Sequence, residues 1–188
     1  MSTGIYLIRH GETDWNVNGR WQGQADILLN EKGKIQALEV AGKLKNSMCG
    51  AIYSSDLIRA RQTAEVISKT LLISSIYYDS RLREIHQGLW EGLSIIEIRE
   101  QYKVEFQRRQ ENPWLVSPPG GETAQQVQER VTHLIDEIKS REAGKNVAVV
   151  THGFVIAVIL SHYQQIPVNR VWDLVPGNGD ICRIDFPD

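Results

Sequence analysis

The stretch IYLIRHGETDWN (residues 5–16) joins a short apolar run directly to an arginine, a histidine and a glycine. Five residues, IYLIR, have the length and β-branched content of a buried strand. The stretch VAVVTHGF (147–154) repeats the arrangement, with an apolar run that ends in His-Gly. Two strands that each deliver a histidine at the tip imply one site assembled from distant parts of the chain.

The surrounding pattern alternates strand and helix. Residues 4–9, 51–55, 75–80, 146–151 and 180–186 read as strands. Asn30 can cap a helix with Ile35, Leu38, Ala41 and Leu44 on its inner face. Residues 56–72 read as a helix that turns Ala60, Ala64, Ile67 and Leu71 inward. Residues 93–112 read as one or two helices, and 81–92 and 113–122 as loops, by their glycines and prolines. Thr123 and Gln126 form a capping box for a helix to about residue 142, with Val127, Val131, Leu134 and Ile138 as its stripe. A further helix spans 153–164. This alternation predicts a three-layer α/β/α sandwich with a mostly parallel central sheet. At 188 residues the chain suits one domain, 1–188, with 85–122 forming a small cover over the site. Ligands of such sheets bind beyond the carboxyl ends of the strands, where both His-Gly pairs fall.

Composition excludes several function classes. The net charge is −2, and the 21 basic residues are scattered without a block, so no nucleic-acid partner is expected. No apolar run reaches membrane-spanning length, and no signal-peptide pattern opens the chain. Cys49 and Cys182 share no metal-binding or redox spacing. They fit a reducing, cytoplasmic setting, and neither a metal nor a cofactor is expected.

The chemistry-bearing residues converge on phosphate. Arg59, in SSDLIRARQTA (54–64), lies in the first turn of a helix that follows a strand. A helix N-terminus beside an arginine attracts anions. With Arg9 it offers two guanidiniums that can clamp a phosphate through charge-assisted hydrogen bonds. A histidine between two cations loses proton affinity, stays neutral and is a nucleophile. Phosphoryl transfer to a histidine nitrogen follows, with the cations stabilising charge in place of a metal. The leaving alkoxide needs an acid, and RLREIHQGLWEG (81–92) supplies Glu84 and, further along the loop, Glu91. The competing reading of Glu84 is a salt bridge to Arg81 or Arg83. For Trp21 and Trp90 simple packing is expected.

LIRHGETDWN, SSDLIRARQTA, LREIHQGLWEG, GGET and VVTHG, in this order, resemble the histidine phosphatase superfamily, also called phosphoglycerate mutase-like, over nearly the whole chain. The resemblance implies that His10 is the phosphorylated nucleophile and Glu84 the proton donor. It implies phosphate binding by Arg9, Arg59 and His152, helped by Asn16 and the Gly153 backbone, and pocket roles for Gln22 and Gly23. His86 occupies a position at which some phosphoserine-specific and some broad-specificity members of the family also carry a histidine, which makes it a candidate substrate-binding residue; the competing reading is a loop histidine in solvent. The short chain between Glu84 and His152 and after the last strand favours a broad phosphomonoesterase of small phosphorylated metabolites, as monomer or homodimer. The alternatives are a phosphoserine phosphatase, an α-ribazole phosphatase, a phosphoglycerate mutase and a non-catalytic phosphate-binding module.

Overall fold

The computed structural model describes residues 2–187. Strands β1 (Thr3–Arg9), β2 (Cys49–Ser54), β3 (Ile76–Tyr78), β4 (Asn146–Thr151) and β5 (Ile181–Phe186) form a five-stranded sheet in the order β3-β2-β4-β1-β5. The first four run parallel, and β5 pairs antiparallel with β1. Helices α1 (Asp14–Val17), α2 (Glu31–Lys43), α3 (Ile58–Leu71), α4 (Ile95–Gln101), α5 (Lys103–Glu111), α6 (Ala124–Arg141) and α7 (Gly153–Tyr163) connect the strands. Short 3₁₀ turns lie at Ser80–Leu82, Gly88–Trp90 and Val168–Leu174.

Strand alternation divides the core into two layers. Ile5, Leu7, Val147 and Val149 face α6 and α7, whereas Ile8, Ile52, Ala148 and Val150 face α2 and α3. The stripe of α6 is the expected one, and Thr123 and Gln126 form its capping box. Helix α7 is buried from Gly153 to Ser161, which explains why its sequence shows no polar face.

The inner face of α2 is a correction. Ile35 and Leu38 are 57% and 55% exposed, while Gly33, Ala37, Val40, Ala41 and Leu44 are buried. Small residues win because the start of α2 lies directly against the loop after β1. A Cβ on Gly11 would sit 2.2 Å from the Gly33 carbonyl, and one on Gly33 would sit 2.1 Å from that of Glu12. The expected strand 75–80 shortens to β3 at the sheet edge, and residues 93–112 divide into two helices at Tyr102.

Register then positions the strand tips. Arg9 pairs with Thr151 across β1 and β4, and Ser54 with Val150 across β2 and β4. Adjacent strands lie about 4.8 Å apart. The next residues, His10, His152 and Ser55, are therefore neighbours at one sheet edge.

Candidate active site

Each tip residue is fixed by backbone chemistry. The His10 N–H donates to Thr151 O at 3.0 Å. Its Nδ1–H donates to the Gly11 carbonyl at 2.7 Å, so Nε2 carries the lone pair. Arg59 Nε donates to that Nε2 at 3.2 Å. The rest of the Arg59 guanidinium is anchored on the carbonyls of Ala25 and Gly23, both at 2.7 Å. Gly23 thus acts through its carbonyl.

Arg9 donates from Nη1 to Pro176 O at 2.5 Å and has a buried Nε without a partner among the described residues. Its side chain lies over Gly153, where a Cβ would sit 3.2 Å from the guanidinium carbon. Glycine lets the arginine lie this close to the start of α7, where a side chain would force it to shift. The His152 ring meets the His10 ring edge-on, with centroids 5.1 Å apart. Asn16 uses its Oδ1 to accept from Thr13 N–H at 3.1 Å and from Asn178 at 3.3 Å. Only its amide N–H₂ is therefore left to serve a ligand.

Glu84 stands opposite these groups. Arg81 is paired with Asp79 and Glu137, and Arg83 with Asp56, so neither takes the Glu84 carboxylate. That carboxylate accepts from Ile85 N–H at 2.9 Å and from Phe154 N–H at 3.4 Å. Its carbonyl accepts from Arg130 at 3.2 Å and from Gln24 at 3.1 Å, which fixes the loop. Glu91 instead braces the backbone, accepting from Gln24 N–H at 2.8 Å and Gln87 N–H at 3.2 Å.

The electrostatics separate the two reactive groups. Burial, then Arg59 and Arg9, hold His10 well below the ordinary imidazole value of 6.5. Burial raises the Glu84 carboxyl above 4.5, against the Ile85 N–H and both arginines. Burial lowers Arg59 to about 10, which leaves it charged near neutrality. The arrangement therefore sets an imidazole of lowered proton affinity and a carboxyl of raised proton affinity around one cationic cavity.

That cavity measures about 300 Å³, and Arg9, His10, Asn16, Gln22, Gly23, Arg59, Glu84 and Gly153 line it. His152 sits behind His10. Like the fully buried His152, His86 lies outside this lining. Its half-exposed ring points to Glu91 at 3.6 Å, and the loop buries its neighbours Ile85 and Gln87 instead. Gln87, Arg20, Phe154, Trp172 and Val175 also line the cavity and went unread in the sequence. The last two come from the Val168–Leu174 turn and the residue after it, a segment without a periodic signal. Trp90 is buried, as packing predicts, whereas Trp21 both stacks edge-on against it at 5.9 Å and faces the cavity. Arg109 lies behind this wall, buried over Trp90 at 5.5 Å and Trp21 at 5.9 Å. It donates to Gln87 Oε1 at 3.3 Å. Burial lowers it to about 10.

Known proteins resemble the chain over most of its length. The chain is 36% identical over 186 residues to the probable phosphoglycerate mutase GpmB of Escherichia coli O1:K1, covering 98% of this chain and 85% of that one. Bacillus stearothermophilus YhfR superposes with a TM-score of 0.87 at 38% identity, over 96% of this chain and 90% of that one. A mycobacterial glucosyl-3-phosphoglycerate phosphatase, solved with VO3, gives a TM-score of 0.86 at 32% identity, over 96% and 90% of the two chains. The pattern of the histidine phosphatase superfamily (branch 1) matches residues 5–188. The chain belongs to the histidine phosphatase superfamily, branch 1.

Proposed function

We propose that the protein is a metal-independent phosphomonoesterase of broad specificity toward small phosphorylated metabolites. The observation that carries this reading is the Nε2 lone pair of His10, held between Arg9 and Arg59 with the Glu84 carboxyl lining the same cavity. The phosphate displaces the Arg59 N–H from Nε2 and takes it on its own oxygens. Nε2 then attacks phosphorus, the P–O ester bond breaks, and the Glu84 proton goes to the departing alkoxide. In the second step the ionised Glu84 takes a proton from water. The water oxygen attacks phosphorus, the P–N bond breaks, and Glu84 is again protonated. Arg9 and Arg59 stabilise the charge on the phosphoryl oxygens in both steps, the electrostatic task that a metal performs elsewhere.

Breadth is supported by the rest of the lining. Trp21, Phe154 and Trp172 present apolar faces, and Gln22 Oε1 is buried without a partner among the described residues, free to accept from a leaving-group hydroxyl. The phosphoserine alternative rested on His86, which points to Glu91. A second reading, hydrolysis of a phosphoglycerate-type ester, draws on Arg20 in the lining and on the names of the relatives given above. Phosphate release from a panel of phosphorylated metabolites, with EDTA present throughout, tests the proposal. Turnover of several chemically unrelated monoesters is expected. Activity that requires an added divalent ion, or a single accepted ester, contradicts it.

A further inference from the structure

The residue at the third strand tip, Ser55, has no part in the scheme above. It is fully buried, and its N–H donates to Val150 O at 2.9 Å. Its Oγ accepts from Leu57 N–H at 3.3 Å and lies 2.8 Å from His152 Nε2. His152 Nδ1 is buried with no partner among the described residues.

These contacts decide between two tautomers. If Nε2 carried the proton, Ser55 Oγ would accept twice. Its own buried O–H would then have no acceptor, and the Nδ1 lone pair would be unpartnered as well. If Nδ1 carries the proton, the Ser55 O–H donates to Nε2, Oγ accepts from Leu57, and a single group remains open, the Nδ1–H. A buried unsatisfied donor is costly unless something fills it. The His10 ring lies beside it, with centroids 5.1 Å apart, so a phosphoryl group carried on His10 would bring an oxygen acceptor close to the His152 ring.

We propose that Ser55 is a positioning residue that fixes His152 as the Nδ1–H tautomer, so that the ring donates a hydrogen bond to the phosphoryl group in transfer. The inference rests on the phosphoryl-transfer reading given above. Burial and the nearby cations keep His152 neutral, so a choice of tautomer exists to be made. The two histidines then share one tautomer and use it oppositely. His10 turns its lone pair to phosphorus, and His152 turns its N–H to oxygen. The other His152 tautomer would aim a lone pair at an anion.

The test has a spectroscopic arm and a kinetic arm. Imidazole ¹⁵N spectra of the wild type, with His152 assigned by loss of its signals in His152→Asn, should give a protonated Nδ1 and an unprotonated Nε2. Inorganic phosphate should shift the Nδ1–H resonance. Ser55→Ala should mix or reverse the tautomer and lower kcat on the order of 10- to 100-fold with KM little changed. Ser55→Thr, which keeps the hydroxyl, should restore both the tautomer and most of kcat at a similar melting temperature. A protonated Nε2 in the wild type overturns the proposal. So does a Ser55→Ala protein with an unchanged tautomer, whatever its kcat. Absence of phosphate release from every ester by the wild type would instead strike the proposed function, and the spectrum still reads the tautomer.

Discussion

The floor of the cavity and its wall are built on opposite principles. The floor consists of strand tips: His10 after β1 and Arg59 one residue into α3 after β2, backed by His152 after β4. Backbone hydrogen bonds and sheet register set these positions, and polar contacts at 2.7–3.2 Å orient the side chains. The wall comes from Trp21, the loop 85–91 and the 168–175 segment, held by aromatic packing around the buried Trp90 and by Glu91 on two backbone N–H groups. The floor concentrates charge and strips water from it. The wall supplies apolar area and a few polar groups. Chemistry should therefore fail when the floor is altered, and substrate preference or stability should change when the wall is altered.

The largest effect is expected at the floor. His10→Ala removes the covalent route and should lower kcat by more than about 10⁴-fold with the protein still folded. Retention of substantial kcat, measured alongside thermal melting, would break the distinction at its root.

Glu84, just before the wall's loop, is the chemical group that faces the floor, and Glu84→Gln sharpens the comparison. In the phosphorylation step it should slow alkyl phosphates by roughly 10²–10⁴-fold and leave p-nitrophenyl phosphate nearly unaffected, because nitrophenolate departs without a proton. The pH profile carries the same signature. His10 is pushed down, so it stays neutral below pH 6.5 and kcat/KM should not fall through the imidazole range. Glu84 is pushed up, so it retains its proton above the usual 4.5. For an alkyl phosphate, kcat/KM should fall as rising pH ionises it, after correction for substrate ionisation. Single-turnover rates that drop equally for both substrates would point to another acid.

The wall should respond in stability. Trp90→Ala empties the centre of the aromatic cluster and should cost about 3–5 kcal/mol by denaturant unfolding, while the folded fraction still forms phosphoenzyme. A variant that unfolds normally yet no longer phosphorylates would erase the separation between wall and floor. The smallest effect belongs to His86. Its ring faces Glu91, so His86→Ala should change kcat/KM for phosphoserine and for p-nitrophenyl phosphate by the same small factor, about twofold or less. A selective loss for phosphoserine would return His86 to the substrate.

The same contrast explains what the sequence reveals. Floor residues follow apolar runs that any parallel sheet must bury, so strand pattern alone brings His10 and His152 to one edge. Arg59 follows from the strand-to-helix junction. Wall residues carry no period. Whether His86 or Gln87 turns inward depends on a loop held by Glu91 and Glu122, and their contacts across the fold leave no local trace. Trp172 and Val175 arrive from a distant segment with no pattern. The α2 face departs from its periodic pattern for a related reason: close packing of Gly33 on Gly11 outweighs the larger side chains of Ile35 and Leu38.

The central claim is a covalent phosphohistidine on His10. Glu84→Gln with radiolabelled p-nitrophenyl phosphate gives the most direct reading, since the leaving group needs no acid while hydrolysis loses its base. Rapid mixing should release nitrophenolate in a burst equal to the enzyme concentration. The label should sit on His10 Nε2, be lost in acid, survive alkali, and be absent in the double variant that also carries His10→Ala. No burst, an acid-stable label, or label on any other residue would contradict the account.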